Sequence, residues 1–239
     1  MSETGPAKPK RFYKDAQLVS LEAGYAVHLD GKPVRTPMGK LLIIPVQALG
    51  EAVVGEWQAQ GDAIDPASMP LCGYANTAID RVGKDRQTVF DNLMYFAGSD
   101  LLCYRADQPD DLVKRQSENW QPVLDWVTRS LGASLLVTTG VLPVDQPEES
   151  LRALNDKISG LDDWQLTGVA SLAAACGSVV LALAVVDAHI DAQQAFQLAQ
   201  LDENFQSERW GLDEEAQARQ QQLQKDVTSA SLFLSLLEQ

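Results

Sequence analysis

The chain has 239 residues and 45% hydrophobic content, so it can bury the core of one large domain or two small ones. Its 19 Lys and Arg stand against 33 Asp and Glu, and the net charge of -14 repels a phosphate backbone, so nucleic acid is not expected as a partner. The charge is uneven, because residues 1–40 hold seven basic and four acidic side chains. The N-terminal part of the chain therefore has a different surface from the rest.

The cysteines and the first residues indicate a reducing compartment. Cys72, Cys103 and Cys176 are far apart and have apolar neighbours, which suits buried thiols rather than a disulfide framework. Residues 1–15 are polar, and no apolar run follows their basic side chains, so they resemble neither a secretory signal nor an amphipathic presequence. We expect them to form a short disordered arm.

The sequence pattern up to residue 61 predicts a small sheet and one helix. Its elements are, in order, strands at 18–21 and 25–29, a hairpin-type turn at Asp30 and Gly31, a strand at 32–36, and a more buried strand at 41–44 that Pro45 ends. Apolar residues then recur at helical spacing from Val46 to Trp57, which predicts an amphipathic helix that ends near Gly61.

Beyond residue 80 nearly all of the chain has helical periodicity. Gly160 and Gly211 are predicted helix ends, and Pro122 predicts a kink or a restart. Residues 100–105 and 135–143 are short and apolar or β-branched, as expected for extended connectors. The helical segments are predicted around Val89, Leu93, Phe96 and Ala97, over residues 112–127, and at 147–159, 162–186, 191–210 and 213–237.

This change of periodicity predicts the fold class and the domains. The class is α+β, with a small β-rich N-terminal domain followed by a larger all-helical C-terminal domain. The first domain is expected over residues 1–80, where one amphipathic helix accompanies the strands, and the second over residues 81–239. The polar junction that includes Asp80 is expected to be tied by local hydrogen bonds, which gives Asp80 a structural role.

Residues 166–186 contain no charge and are long enough to be considered as a membrane span. Alanines and hydroxyl residues interrupt the segment, Gly177 divides it, and Asp163 and Asp187 flank it without basic or aromatic anchors. A buried helix at the centre of a helical domain is therefore the favoured interpretation. A membrane-associated factor is the alternative.

The sequence offers little material for catalysis. His28 and His189 do not lie in a metal-ligand spacing, no CxxC pair is present, and Gly39-Lys40 lacks the other residues of a phosphate-binding loop. No catalytic residue, metal or cofactor is therefore expected. Because acidic residues are abundant, a carboxylate-dependent enzyme with a cleft between the two domains stays open as an alternative.

Residues 201–216, read as a helix, sort their side chains onto two faces. Leu198, Leu201 and Phe205 form one stripe. Glu203, Gln206 and Trp210 fall on the opposite face, where an acid, an amide and an indole would form a binding surface. The simpler interpretation is that Glu203 and Gln206 are solvated and Trp210 packs at the helix end before Gly211.

Several short motifs, weak singly, are specific in their order and spacing, and together they resemble the family of ATP synthase assembly chaperones that escort the alpha subunit of the F1 head. The resemblance covers the chain from about residue 11 to the C-terminus. It is carried by Arg11-Phe-Tyr-Lys14, Leu29-Asp-Gly-Lys-Pro-Val-Arg-Thr-Pro37, Glu56-Trp57 with Gln60, Met69-Pro70, Asn76-Thr-Ala-Ile-Asp80, Asp100-Leu-Leu-Cys-Tyr104, Gln116 with Trp120, Gly177-Ser178, and Gln206 with Trp210-Gly211.

The resemblance implies a function without catalysis. Such a chaperone holds the unassembled alpha subunit and shields its assembly surface until the beta subunit replaces it, without ATP hydrolysis. The family's important acidic position falls on Glu203 or Glu208 here, so we expect Glu203, Gln206, Glu208 and Trp210 to bind the partner. Trp57 is expected to be structural, as is the helix stop Gly211. The protein is expected to be a monomer when free, in a bacterial cytoplasm.

Overall fold

The computed structural model describes residues 8–140, 142–211 and 213–239. They divide into two compact units: the first contains residues up to Lys84 together with Ser235–Gln239, and the second is Asp85–Leu234. Strands are concentrated in the first unit and helices in the second, which confirms the predicted α+β class.

The first unit is built on a four-stranded antiparallel sheet in which β2 pairs with all three other strands. The predicted hairpin-type turn is confirmed, because Asp30 and Gly31 both have positive φ angles, 47° and 78°, as a tight turn between twisted strands requires. The strands are β1 (Ala16–Leu21), β2 (Gly24–Leu29), β3 (Lys32–Pro33) and β4 (Ile43–Ile44). The helix α1 (Gln47–Gln58) packs on β1 and β2 through residues such as Leu49 and Val53.

The prediction of a disordered N-terminal arm was wrong for residues 8–15. Lys10 forms an antiparallel bridge with Ala63. Tyr13 is buried, packs edge-on against Trp57 at 5.6 Å between ring centroids, and donates a 2.6 Å hydrogen bond to the Trp57 carbonyl. These contacts order a segment whose polar composition gives no sign of them. The rest of the predicted arm, residues 1–7, lies outside the described residues.

A glutamate of α1 caps the N-terminus of the next α-helix of the first unit. The Glu56 carboxylate accepts 2.8 Å hydrogen bonds from the backbone N–H groups of Leu71 and Cys72, which have no partner within their own helix turn. The remaining elements of this unit are a 3-10 turn (Pro66–Ser68), α2 (Pro70–Thr77) and a π-helical turn (Ala78–Val82).

The second unit contains the other helices of the described residues. They are α3 (Arg86–Ala97), a 3-10 turn (Leu101–Cys103), α4 (Asp110–Leu131), α5 (Glu148–Ser159), α6 (Asp163–Cys176), α7 (Val179–Val186), α8 (Ala192–Ala199), α9 (Leu201–Trp210) and α10 (Glu214–Leu237), which runs into the first unit at its last residues. The predicted extended connectors meet in a short parallel pair, β5 (Tyr104–Arg105) with β6 (Thr138–Thr139). Val141, inside the second connector, lies outside the described residues.

The predicted helix over residues 162–186 is two helices. Gly177 adopts a left-handed conformation, φ 65°, and Ser178 caps α7 by accepting a hydrogen bond from the Leu181 N–H. The interpretation as a buried core is confirmed, because Val179 to Ala184 are fully buried. Within the described ranges, no helix has the length and apolar character needed to cross a membrane.

Three other local predictions were wrong. The predicted helix over 191–210 is interrupted at Gln200, which has a non-helical backbone between α8 and α9. α4 passes through Pro122 as one helix, so the alternative of a restart there was wrong. Phe96 is half exposed and not part of the buried stripe of α3, where Val89, Leu93 and Ala97 are buried.

Candidate functional site

The helix α9 carries the side chains that sequence reasoning singled out, and its apolar face is buried as predicted. Leu201 and Phe205 are 5% and 3% exposed. The Phe205 ring contacts two guanidinium groups, with the Cζ atoms of Arg115 and Arg209 at 5.2 and 4.3 Å from its centroid. This face anchors α9 in the helical unit.

Buried polar contacts also attach α9 and its entry to α4. Gln116 donates from Nε2 to Asp202 at 2.8 Å, and Trp120 donates from Nε1 to the Leu198 carbonyl at 2.9 Å. Gln116 and Trp120 are 1% and 0% exposed, so they are interior groups rather than interface groups. The Gln116 carbonyl in turn accepts a hydrogen bond from Arg105 at 2.9 Å.

Glu208 lies against α4 as well. Its two carboxylate oxygens accept hydrogen bonds of 2.8 and 2.9 Å from the guanidinium of Arg115. This hydrogen bonding lowers the pKa of the Glu208 carboxyl from its ordinary value. A second ion pair joins Arg209 to Asp111 at 3.3 Å. The predicted site residue Glu208 is therefore engaged within the chain.

The opposite face of α9 forms one wall of a groove, here called the α9–α10 groove. Its volume is about 620 Å³. The predicted trio Glu203, Gln206 and Trp210 lines it together. Trp210 is 76% exposed, which is unusual for the largest apolar side chain. The other lining residues are Gln200, Ser207, Gly211, Ala216, Arg219, Gln220 and Leu223.

The polar groups of this groove differ in how they are bonded. Gln220 donates to the Asn204 side chain at 2.7 Å and so links α10 to α9. Arg219 pairs with Glu215 at 3.6 Å. Among the described residues, the side chains of Glu203 and Gln206 have no hydrogen-bond partner. They are free to bond with another molecule.

The groove has the chemistry of a binding surface. The Ser207 hydroxyl, the one hydroxyl among the lining residues, donates to the Asn204 carbonyl at 2.9 Å and forms no hydrogen bond with a side-chain base of the described residues. Within the described part of the chain, no group of three His, Cys, Asp or Glu residues is placed to hold a metal ion. An exposed indole beside an acid and an amide instead suits the recognition of a protein surface.

Comparisons with known proteins give the family. The profile of the ATP12 chaperone protein family matches residues 10–128. The crystal structure of Atp12 from Paracoccus denitrificans is 41% identical and superposes with a TM-score of 0.90, and the alignment covers 95% of this chain and 98% of that one. This chain belongs to the ATP12 chaperone family. The family acts in the assembly of ATP synthase, so the resemblance that the sequence motifs predicted is confirmed.

Two further relatives agree with the ATP12 assignment. A mutant form of Atp12p from Paracoccus denitrificans is 40% identical, with a TM-score of 0.90 and coverage of 96% of this chain and 99% of that one. The mitochondrial protein atp12 of Schizosaccharomyces pombe is 22% identical over 238 residues, which span 95% of this chain and 82% of that protein. The match to these relatives extends through both units.

Other residues of the ATP12 motifs make internal ties in the first unit. The Asp80 carboxylate is buried and accepts hydrogen bonds from the Thr36 hydroxyl at 2.8 Å and from the Met38 N–H at 3.0 Å. It thereby joins the loop between β3 and β4 to the π-helical turn. Trp57 contacts Tyr13 through its ring and its carbonyl. Both residues were predicted to be structural.

Gly211 ends α9 with a positive φ of 82°, which a residue with a Cβ rarely adopts. Its N–H donates to the Ser207 carbonyl at 2.9 Å. The chain therefore turns sharply after Trp210 and leaves the indole at the end of the helix, beside the first turns of α10.

Sequence reasoning missed the importance of Asp100. This carboxylate is fully buried and accepts hydrogen bonds from the Ser178 hydroxyl at 2.8 Å and from the backbone N–H groups of Leu102 and Val180 at 3.1 and 3.0 Å. Burial raises the pKa of the Asp100 carboxyl. Both partner motifs were noted in the sequence, but the separation of 78 positions between Asp100 and Ser178 hides their contact.

Proposed function

We propose that this chain binds the unassembled alpha subunit of the F1 sector, shields the surface that the beta subunit later occupies, and uses the α9–α10 groove as its contact. The observation that carries this proposal is the exposed Trp210 beside Glu203 and Gln206, whose side chains have no internal partner among the described residues. The family's role in ATP synthase assembly makes an F1 subunit the natural client.

The groove offers the affinity that an assembly chaperone needs. Covering an indole removes about 150–250 Å² from water, and at about 25 cal/mol per Å² this contributes roughly 4–6 kcal/mol before the costs of association. Those costs are of similar size, so the net affinity of one such anchor is modest. A modest affinity protects a sticky client surface and still lets the next subunit displace the chaperone.

The two glutamates of α9 have different proposed roles. Glu203 faces the groove and contacts the client directly. Glu208 holds α9 on α4 through its two-oxygen pairing with Arg115, and so acts as a positioning residue. Trp57, Asp80 and Gly211 keep the structural roles predicted for them, since each makes its contacts inside the chain.

We also propose that the protein is not an enzyme. In the described residues, the carboxyl groups with a raised pKa are Glu56 and Asp100, and desolvation by burial is the main cause in both. Each of them accepts hydrogen bonds from backbone N–H groups at a helix start, so we assign both carboxyl groups to helix capping rather than to proton transfer. A carboxylate-dependent enzyme remains the competing hypothesis, and turnover of a small molecule would support it.

The free protein is proposed to be a monomer in the bacterial cytoplasm. Its three thiols are all free and buried, which suits a reducing compartment. Burial raises the pKa of each thiol to about 12, so these cysteines stay protonated and unreactive at neutral pH.

Co-purification tests the proposal directly. The tagged chain should capture isolated alpha subunit, and Glu203→Lys should abolish capture while the circular dichroism spectrum and Tm stay unchanged. Glu149→Lys is the matched control, because Glu149 is an exposed acid on α5 outside the groove. Normal capture by Glu203→Lys would refute the site assignment. Failure of the unmodified chain to capture alpha would refute the client.

A further inference from the structure

The first unit has a concave surface that the proposed client contact does not use. It is called the aromatic pocket here and has a volume of about 370 Å³. Its lining residues are Phe12, Tyr13, Leu29, Asp30, Lys32, Pro33, Val34, Arg35 and Trp57. The volume is near the lower end of ligand-site volumes and suits one or two side chains of a peptide.

The apolar part of this pocket is a row of three rings. Phe12 packs edge-on to Tyr13 at 5.4 Å between centroids, and Tyr13 packs edge-on to Trp57 at 5.6 Å. Tyr13 is buried, but Phe12 is 74% exposed. The row therefore contains a buried ring, Tyr13, and ends at the exposed ring of Phe12, which a bound partner would cover.

The rim of the pocket is basic. Lys32 and Arg35 line it, and Lys14 and Arg11 lie next to its aromatic residues in the chain. None of these four cations forms an ion pair with a carboxylate of the described residues. Arg11 stacks over the Tyr13 ring and donates to neutral backbone carbonyls, so its charge is not cancelled.

The pocket contains one acid, Asp30, whose carboxylate is already hydrogen-bonded within the chain. The Asp30 carboxylate accepts hydrogen bonds from the N–H groups of Lys14 and Asp15 at 2.9–3.3 Å. These bonds lower the pKa of the Asp30 carboxyl, so it is ionised at neutral pH. The four cations around it exceed the negative charge of Asp30 and Asp15, and the rim keeps a net positive charge in a chain of net charge -14.

We infer that the aromatic pocket is a second protein-binding surface, which takes an extended acidic segment with an aromatic or large aliphatic side chain from a partner protein. The side chain would cover Phe12, and the acids would pair with Lys32 and Arg35. Charge complementarity favours a short acidic segment over a nucleic acid, because the rest of this acidic chain repels an extended polyanion. This surface is independent of the α9–α10 groove, and its test does not require the alpha subunit.

Fluorescence anisotropy with defined peptides tests the inference. The probe is a short fluorescein-labelled peptide in which glutamates flank two phenylalanines, and it is titrated with the full-length protein. Two matched peptides carry lysines in place of the glutamates or serines in place of the phenylalanines. We expect the probe to bind about tenfold more tightly than either of them, since both the charge and the ring contribute.

Variants of the protein assign the binding to the pocket. Phe12→Ala and the double change Lys32→Glu with Arg35→Glu should each weaken probe binding about tenfold without altering Tm, because these side chains are exposed. Lys225→Glu is the control, an exposed cation on α10. If the pocket variants bind the probe as well as the control does, the inference is overturned. It is also overturned if sedimentation velocity shows a dimer that Phe12→Ala dissociates, because the occupant would then be a second copy.

Discussion

The buried cluster of Asp100 and Ser178, here called the junction, and the α9–α10 groove each contain an acid among other polar groups, but the two acids are bonded in opposite ways. At the junction, Asp100 accepts its hydrogen bonds from Ser178 and nearby backbone groups, and water has no access. In the groove, Glu203 and Gln206 have no side-chain partner among the described residues, and Trp210 is open to solvent. Changes at the junction should therefore affect stability, and changes in the groove should affect binding.

The largest expected effect is on the junction. Asp100→Ala leaves the Ser178 hydroxyl and two backbone N–H groups without their acceptor in a buried site, so the free energy of unfolding should fall by about 2–4 kcal/mol. Urea unfolding followed by circular dichroism measures this. Asp91→Ala, which removes an exposed acid on α3, should change stability by less than about 0.5 kcal/mol. Equal stability of the two variants would remove the distinction between the junction and the surface.

The next effect is the reverse, a loss of binding without a loss of stability. Trp210→Ala should weaken alpha-subunit binding by about thirtyfold, the equivalent of about 2 kcal/mol for an aromatic anchor. Its Tm should stay within about 1 °C of the unmodified protein, because Trp210 is 76% exposed. Leu232→Ala is a control, an exposed apolar residue of α10 outside the groove. A large drop in Tm for Trp210→Ala would show that the indole supports the fold.

A smaller effect separates the two glutamates of α9. Glu208→Arg places like charges beside Arg115 and should reduce alpha-subunit binding only a few-fold, through misplacement of α9. Adding Arg115→Glu restores an ion pair of reversed polarity and should recover most of the binding. Glu203→Lys should not be rescued by Arg115→Glu, since Glu203 does not contact Arg115. Rescue of Glu203→Lys, or none for Glu208→Arg, would reverse the assigned roles.

The pH dependence of stability gives the smallest effect. Because burial raises the pKa of Asp100, the folded protein holds this proton more tightly than the unfolded chain does. This stabilisation is complete below the unfolded pKa of about 3.9 and is lost as pH rises through the folded pKa. The unmodified protein should therefore lose stability relative to Asp100→Asn as pH rises from about 4 to 7, in urea unfolding of both proteins. Glu56, whose pKa is also raised, is present in both and cancels. A difference that stays constant with pH would contradict this account.

The grouping of three polar and aromatic side chains on one face of α9 was predictable because it depends on local periodicity. Glu203, Gln206 and Trp210 are three and four residues apart, and the helical repeat alone places them on one side. The other wall of the groove is formed by α10, with Arg219 and Leu223. No local pattern in the sequence predicts where α10 lies relative to α9.

The wrong predictions concern two helix breaks and the N-terminal segment. The break at Gly177 and Ser178 carried the usual signals of a helix end and a helix cap, but the continuous apolar composition outweighed them. The break at Gln200 has no such signal, and α4 makes hydrogen bonds on both sides of it, to Leu198 of α8 and Asp202 of α9. The order of residues 8–15 likewise comes from partners such as Trp57, more than forty residues later in the chain.

The most direct test of the proposed client contact is a competition experiment with purified subunits. Sedimentation velocity should show a complex of the chain with isolated alpha subunit, and addition of beta subunit should release the chain from it. The variant that combines Glu203→Lys with Trp210→Ala should remain folded and form no complex. Absence of a complex with the unmodified chain, or a complex that the double variant forms equally well, would contradict the account.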